Sequence, residues 1–183
     1  MSPGPEFVRP RPDQSGPVRL APPDPAWPQQ YAAVASRLRQ ALGPVAVLVE
    51  HVGSTSVPGL AAKPILDVLL LVPDPADETA YVPQLEAAGI LLHVREPDWH
   101  QHRLFRAHHP EVHVHVFAEG SKEADRMLLF RDRLRANEED RALYEETKRR
   151  LAAHNWNRVQ DYADAKSDVV ESIIARATRV ERT

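Results

Sequence analysis

The chain has 183 residues, of which 43% are hydrophobic and 27% charged, a composition typical of a globular protein large enough to bury a core. Its formal net charge of −3 at pH 7 gives no global attraction to nucleic acid or to an anionic membrane, so any phosphate site must be local. The absence of cysteine excludes disulfides and thiolate zinc sites and suits a reducing cytoplasm, and no apolar run reaches the roughly 18 residues of a membrane span. We therefore expect a cytoplasmic protein that is not inserted in a membrane.

The sequence predicts one domain behind a short leader. Residues 1–17 are rich in proline and predict a flexible leader. The domain is placed at 18–183, with a core over about 18–120 and a helical C-terminal part over about 121–183. No internal repeat divides it.

The first elements are a helix and two strands. Asp24 followed by Pro25 is a helix-start signal, and apolar residues at helical spacing then run to Gly43. A β-branched run from Val45 predicts the first strand. The segment PILDVLLLV, residues 64–72, is apolar on both faces, which predicts a central strand covered on both sides.

The later elements continue a mixed pattern. A helix is predicted over DETAYVPQLEAAG, where Pro83 predicts a kink or a late start. Strands are predicted at ILLHVRE, HRLFRAH and EVHVHVFAEG, and helices at SKEADRMLLFRDRLRAN with Ser121 as its cap, EEDRALYEETKRRLAAHN and NRVQDYADAKSDVVESIIARATR. This order predicts a small mixed sheet backed by a helical C-terminal half.

A turn of small residues, Gly53-Ser54-Thr55, leads toward the central strand. Glycine lets the backbone approach an anion closely, the hydroxyls can donate to phosphate oxygens, and Lys63 adds a positive charge. Asp67 is the single carboxylate within the apolar strand, and burying it is costly unless another group pairs with it. A plain turn is the alternative interpretation of the loop.

This layout is similar to that of the nucleotidyltransferase superfamily, in which the turn holds nucleotide phosphates and strand carboxylates hold magnesium. That pattern has a second carboxylate two residues after the first, on the same face of the strand. Here the position is Leu69. Such a site binds metal weakly, recruits a ligand elsewhere or does not perform two-metal chemistry.

Histidines could supply a replacement ligand. His113 and His115 lie on one face of the last predicted strand, and imidazole with carboxylate suits zinc, manganese or iron better than magnesium. They could also be ordinary sheet-surface residues or hydrogen-bond partners of Asp67. Glu50 precedes the turn and would lie at the mouth of the same site. Four further histidines lie in polar, loop-like segments and are interpreted as solvated: His100, His102, His108 and His109.

A lysine interrupts the apolar stripe of the last predicted helix. The stripe comprises Val159, Tyr162, Ala163, Lys166, Val170, Ile173 and Ile174. Lys166 needs a counter-charge such as Asp67 or a bound phosphate, or else must extend its ammonium group to solvent. Arg131, Arg135 and Lys148 could likewise face an anion, although most such charge runs are solvated.

The sequence closely resembles the GrpB family, a branch of the nucleotidyltransferase-like fold that also occurs fused to the C-terminus of some bacterial dephospho-CoA kinases. The resemblance covers residues 18–175 and rests on DPAWPQQYAAVASRLRQALG, EHVGSTSVPGLAAKPILDVLLLV, HVHVF, FRDRLRANEEDRALYEETKRRLA and YADAKSDVV. It implies an α/β (α+β) fold, with a nucleotidyltransferase-like mixed sheet and C-terminal helices. The family pattern retains only the first acid. Its motif residues here are Glu50, His51, Gly53, Ser54, Thr55, Pro58, Gly59, Lys63, Asp67, His115, Arg131, Asp132, Tyr144 and Lys166.

The leading hypothesis is a cleft that binds a nucleotide or other small phosphorylated ligand and supports metal-dependent nucleotidyl transfer. Asp67 and Lys166 are the candidate catalytic residues, and a divalent metal (Mg²⁺ or Mn²⁺, with Zn²⁺ as an alternative) would be held by Asp67 with His115 or Glu50. The candidate ligands of the nucleoside triphosphate are Gly53, Ser54, Thr55, Lys63 and Arg131.

Two alternatives remain open. One is a non-catalytic ligand-sensing or protein-interaction module, which the missing second acid favours. The other is a transition-metal centre with different chemistry, built from His113, His115, Asp67 and Glu50. Nucleic acid is not expected as a substrate, since the sequence has no continuous basic surface.

Overall fold

A computed structural model describes residues 4–10, 16–156 and 159–180. The strands are β1 (Glu6–Phe7), β2 (Gly16–Pro17), β3 (Leu48–Val52), β4 (Leu66–Val72), β5 (Leu91–Glu96), β6 (His102–Ala107), β7 (Val112–Ala118) and β8 (Asn155–Trp156). The helices are α1 (Trp27–Leu42), α2 (Val82–Ala87), α3 (Lys122–Ala136), α4 (Glu138–Ala152), α5 (Val159–Asp164) and α6 (Ser167–Val180). Within these ranges six strands form one mixed sheet in the order β1-β5-β6-β7-β4-β3, and β2 pairs with β8. The predicted mixed sheet with C-terminal helices is confirmed.

The strand β4 is central, as its apolar sequence predicts. It pairs with β3 antiparallel and with β7 parallel. Val68 and Leu70 face the larger core, which includes residues of α1 and α2. Leu69 faces the opposite side, where it packs with Phe117 and with Ala124 of α3. Burial on both faces explains why this strand carries so few polar residues.

The first helix is fixed at its start and along its length. Asp24 Oδ1 accepts a hydrogen bond from the backbone N–H of Ala26 at 2.8 Å, and the helix begins one residue later. The Tyr31 hydroxyl and the Arg39 guanidinium both donate to the Val49 carbonyl of β3. These bonds hold α1 against the strand that leads into the Gly-Ser turn.

The predicted boundaries shift in two places. The first strand of the core begins at Leu48 rather than at Val45, because residues 43–45 form a tight 3₁₀ turn that accommodates Pro44. The helix predicted over 77–89 begins at Val82 after a separate 3₁₀ turn, with Pro83 in its first turn, where a missing N–H costs little.

Part of the predicted leader lies on the sheet. Glu6 and Phe7 pair antiparallel with Arg95 and Val94, and Glu6 forms an ion pair with Arg95 at 3.0 Å. Residues 1–3 and 11–15 of the leader lie outside the described residues.

The C-terminal helices differ from prediction in two details. Ser121 occupies the N-cap position of α3, but its hydroxyl makes no hydrogen bond within the described part of the chain. The single helix predicted over 157–179 is divided into α5 and α6, because Ser167 and Asp168, residue types that favour helix starts, begin a new helix. The side chains of Val159 and Ala163 lie outside the described residues. Among the helices described, none has both the length and the apolar character needed to cross a bilayer.

Candidate functional site

The Gly-Ser turn lies directly against the carboxylate of Asp67. Antiparallel pairing sets Val52, the last residue of β3, opposite Asp67 near the start of β4. Gly53 follows with φ +67° and ψ −174°, a conformation that residues with a side chain rarely adopt. A Cβ atom at Gly53 would lie 2.4 Å from Asp67 Oδ2. Glycine is therefore required here both by the backbone and by the space that the carboxylate occupies.

The hydroxyl of Thr55 is committed to contacts inside the protein. It donates to the Ile65 carbonyl at 3.3 Å and lies 3.0 Å from His51 Nε2. Because a hydroxyl has one proton, His51 must donate this second bond from Nε2. Burial lowers the pKa of His51 to about 4, so the ring is neutral, and it stacks on Tyr31 at 4.6 Å. Thr55, a predicted phosphate ligand, thus anchors the turn to the core.

Lys148 approaches the turn from α4. Its ammonium group donates to Ser54 Oγ at 3.1 Å and to the Ala61 carbonyl, and it lies 4.8 Å from the centre of the Tyr144 ring. The residue is only 2% exposed. Burial lowers the pKa of Lys148 to about 7, and the positive charge of Lys166 acts in the same direction.

Two more lysines share the ring of Tyr162. The ammonium groups of Lys166 and Lys63 lie 4.7 and 5.4 Å from the centre of this ring. Burial lowers the pKa of both lysines, and their mutual repulsion lowers that of Lys63 further. The Tyr162 hydroxyl is buried and has no hydrogen-bond partner among the residues described. Lys63, Lys148 and Lys166 are called the lysine cluster below.

The lysine cluster has little negative charge to balance it. Asp67 is the carboxylate whose charge raises the pKa of Lys63 and of Lys166. Glu145 acts on Lys148, but Glu145 itself binds Arg149 at 2.6 Å. Among the residues that the structure describes, Lys63 and Lys166 therefore share the charge of Asp67, and Lys148 is left with a carboxylate that already pairs with an arginine.

Asp67 also ends a chain of imidazoles that crosses the sheet. His115 Nε2 lies 3.4 Å from Asp67 Oδ1, and His113 Nδ1 lies 3.7 Å from the same atom. The other nitrogen of His115 lies 3.2 Å from His102 Nε2, and His102 Nδ1 lies 2.7 Å from Glu96 Oε2. We call Glu96, His102, His115 and Asp67 the imidazole chain. The prediction that His113 and His115 share a face is confirmed.

The environment of the imidazole chain shifts the pKa values of its members. Burial lowers the pKa of His102 to about 4, which outweighs the opposing effect of its hydrogen bond with Glu96. Burial alone would raise the pKa of Asp67. The hydrogen bond from His115 and the charges of His115, His113 and Lys166 oppose that effect and hold the pKa of Asp67 below its ordinary value.

The remaining predicted ligands are engaged elsewhere. Glu50 Oε2 accepts a hydrogen bond from Arg131 Nη1 at 2.7 Å, and Arg131 also bonds Asp132 and the His51 carbonyl. Leu69 is fully buried in the apolar cluster under α3. Over the ranges that the structure describes, no three His, Asp or Glu side chains come together in a way that could hold a metal ion.

Sequence reasoning missed several residues of the site. His102, interpreted as solvated, is 4% exposed, because β6 begins at this residue and directs it toward His115. The sequence identifies Tyr144 only as a family-motif residue and Tyr162 only as part of an apolar stripe. In the structure the ring of Tyr144 lies beside Lys148, and the ring of Tyr162 lies beside Lys63 and Lys166. Arg135 donates to the Ser56 carbonyl and so supports the turn, while its side chain stays 40% exposed.

Comparisons with known proteins agree on one family. A protein of Halalkalibacterium halodurans named as a UPF0157 protein is 56% identical over 154 residues, which are 84% of this chain and 79% of that one. A dephospho-CoA kinase of Mycolicibacterium paratuberculosis is 36% identical over 160 residues, 73% of this chain but only 39% of the kinase. The crystal structure of GrpB from Enterococcus faecalis superposes with a TM-score of 0.78 at 29% identity, covering 90% of this chain and all of that one. A family profile described as GrpB protein matches residues 17–176, and the chain belongs to the GrpB family.

Proposed function

We propose that the protein binds a phosphorylated ligand, with a nucleoside triphosphate as the leading candidate, in the cleft between the Gly53-Ser54 turn and Asp67. The observation that carries this proposal is the lysine cluster. Its members converge on Ser54, Asp67 and Tyr162 from three separate parts of the chain.

A role in binding an anion explains the lysine cluster better than a purely structural role does. A buried ammonium group without a counter-charge costs free energy, and apolar side chains could fill the same volume without that cost. Within the described part of the chain, the hydrogen bonds of Lys148 go to a hydroxyl and a carbonyl rather than to a carboxylate, and burial lowers its pKa to about 7. A polyphosphate would supply the missing negative charge. The unpartnered hydroxyl of Tyr162 would add a donor.

The side chains of the proposed site also decide how a metal ion could be bound there. No three side chains among the described residues are placed to hold a metal ion together, so a resident metal ion does not fit them. Magnesium, however, usually binds through one or two carboxylates together with the phosphates of the substrate. In this proposal Asp67 provides that carboxylate, and the ion supplies electrostatic stabilisation of the phosphates.

Nucleotidyl transfer is the reaction class that the proposed ligand and the GrpB fold suggest together. In this reaction an acceptor oxygen attacks the α-phosphorus of the nucleoside triphosphate and pyrophosphate leaves; Lys166, whose charge acts on Asp67, would offset the negative charge that develops on the transferred nucleotidyl group. Lys63 and Lys148 would orient the phosphates.

The test is a calorimetric and thermal-shift panel on the full chain. The probes are inorganic tripolyphosphate, ATP, GTP, CTP, UTP, coenzyme A and dephospho-coenzyme A, each with and without magnesium. The last two are included because relatives named as dephospho-CoA kinases contain a matching region. A ligand at 100 times its dissociation constant adds about 2.7 kcal/mol of stability, or about 5 to 11 °C in a protein of this size.

The matched variants are Lys166→Met and Arg149→Met. The first removes a charge from the cleft and is expected to abolish the shift, whereas the second removes an exposed charge paired with Glu145 and is expected to preserve it. If no phosphorylated probe shifts the wild type, or if both variants respond as the wild type does, the proposal fails.

A further inference from the structure

An exposed tryptophan lies at the far end of the imidazole chain. Trp99 is 45% exposed, whereas Trp27 in the main core is 5% exposed. Its ring contacts His102 edge-on at 5.2 Å and Phe117 at 5.9 Å. Tryptophan is highly buried on average, so one that is nearly half exposed while its ring is held against an imidazole and a phenyl ring is a candidate ligand contact.

The backbone beside Trp99 is strained. His100 and Gln101 have φ values of 53° and 52°, in the left-handed region that favours glycine. The turn is closed by a hydrogen bond from the His102 N–H to the Trp99 carbonyl at 3.0 Å. Gln101 is neither glycine nor one of the residue types that tolerate this region best, asparagine, aspartate and histidine, so its conformation has a free-energy cost. Such strain concentrates at ligand-contacting segments, and here it fixes where the tryptophan ring lies.

Trp99 belongs to the same face of the sheet as Asp67. The ring of His102 stacks on Phe117 at 4.7 Å and on His115 at 5.3 Å, and His115 reaches Asp67. The side chains of His115 and Asp67 are 23% and 30% exposed, so solvent reaches both of them, while His102 and Phe117 form the buried floor beside Trp99. The lysine cluster lies at the opposite end of this face, near the start of β4.

We infer that Trp99 is a stacking platform for a planar aromatic ring carried by the phosphorylated ligand. This inference rests on the proposed function and narrows it, because it selects a ligand with a polyphosphate at one end and an aromatic ring at the other. A nucleotide has this form. The phosphates occupy the lysine cluster, the middle of the ligand crosses His115, and the ring packs on Trp99.

Titration calorimetry with ATP and inorganic tripolyphosphate separates the two ends of the ligand. Both probes carry the triphosphate, but only ATP carries a ring. Stacking of one base on an aromatic side chain changes affinity about 5- to 150-fold. The wild type should therefore bind ATP more tightly than tripolyphosphate by a factor in that range.

Three variants of Trp99 test the platform. Trp99→Ala and Trp99→Leu should weaken ATP binding to the level of tripolyphosphate, while tripolyphosphate affinity changes less than twofold. Leucine keeps an apolar cover over His102, so the fold is preserved even if alanine perturbs it. Trp99→Phe should retain most of the preference for ATP. Leu143→Ala, at an exposed apolar residue of α4, is the control and should change neither affinity.

The failures of this inference and of the proposed function are distinguishable. Equal affinities for ATP and tripolyphosphate in the wild type overturn the stacking platform and leave the phosphate site in place. Equal losses for both probes in Trp99→Leu also overturn it. If neither probe binds the wild type, the proposed function and the platform fall together.

Discussion

Replacing Lys148 by methionine should stabilise the fold while it abolishes binding of polyphosphate. Burial lowers the pKa of Lys148 from its ordinary value of 10.5 to about 7. At pH 7 this difference corresponds to about 4 kcal/mol of destabilisation, since one pKa unit is about 1.4 kcal/mol. Methionine has a similar length and carries no charge, so Lys148→Met removes this cost.

The stabilisation expected for Lys148→Met is reduced by the hydrogen bonds that the variant loses. Lys148 donates to Ser54 Oγ and to the Ala61 carbonyl, and leaving these acceptors without a partner costs about 1 to 3 kcal/mol. The net expected gain at pH 7 is therefore about 1 to 3 kcal/mol, or an increase in Tm of about 2 to 12 °C. Arg149→Met, the adjacent exposed charge, should change stability by less than about 0.5 kcal/mol.

The direction in which stability changes with pH follows from the protonation of Lys148 in the folded and in the unfolded chain. Above pH 10.5 the lysine is neutral in both states and carries no penalty. As the pH falls toward 7, the unfolded chain binds a proton that the folded chain does not, so the wild type loses stability; below about 7 the loss is complete. Between pH 9 and pH 7 the wild type should lose about 2 kcal/mol relative to Lys148→Met.

Urea denaturation of the wild type and Lys148→Met at pH 7, 8 and 9 measures this difference directly. The stability advantage of the variant should be greatest at pH 7 and should nearly vanish at pH 9. A variant that is less stable at pH 7, or an advantage that does not change with pH, would refute the argument that a buried, poorly compensated charge lies here.

Three further predictions concern the turn, the carboxylate and the second-acid position. Gly53→Ala should lower the free energy of unfolding by about 2 kcal/mol or more, through backbone strain and the clash with Asp67. The control is Gly120→Ala, where φ is +77° but no neighbour lies within 4 Å, and this variant should lose less. Equal losses of the two variants in urea denaturation would contradict the clash. Asp67→Asn should remove the increase in ATP affinity that magnesium gives the wild type. EDTA should leave the Tm of the ligand-free wild type unchanged. If calorimetry finds the same effect of magnesium on ATP affinity in both proteins, Asp67 is not a ligand of the magnesium ion. Leu69→Asp should cost more than about 3 kcal/mol, because the site is fully buried among apolar residues, and a soluble variant with wild-type Tm would show that a second acid is tolerated.

Local patterns were sufficient to predict the strands that carry the site. The apolar run around Asp67 predicts a central strand, and alternation in β7 places His113 and His115 on one face. Gly53 and Ser54 could be predicted as part of a turn near Asp67, because the two strands are adjacent in sequence and pair antiparallel.

Long-range packing determines what the sequence could not predict. Lys148 is named from the sequence only as one of several cations that could face an anion; it reaches Ser54 across 94 positions of sequence, and nothing near it distinguishes it from the exposed Arg149 beside it. Its spacing of four from Tyr144 places both on one face of α4, which is a usable signal only when that face is known to be buried. His102 required the register between β6 and β7, which an isolated segment does not contain.

The charges of the site point to a link between ligand binding and stability. The carboxylate of Asp67 is shared between His115 and two members of the lysine cluster, Lys63 and Lys166. Among the described residues the cluster therefore has more cationic side chains than carboxylates, and other interactions of the fold must offset the free-energy cost of that imbalance. A polyphosphate would remove that cost as it binds, and its binding should take up a proton because it raises the pKa of Lys148. The same lysines that weaken the empty protein are thus the ones that would make a phosphorylated ligand its strongest stabiliser.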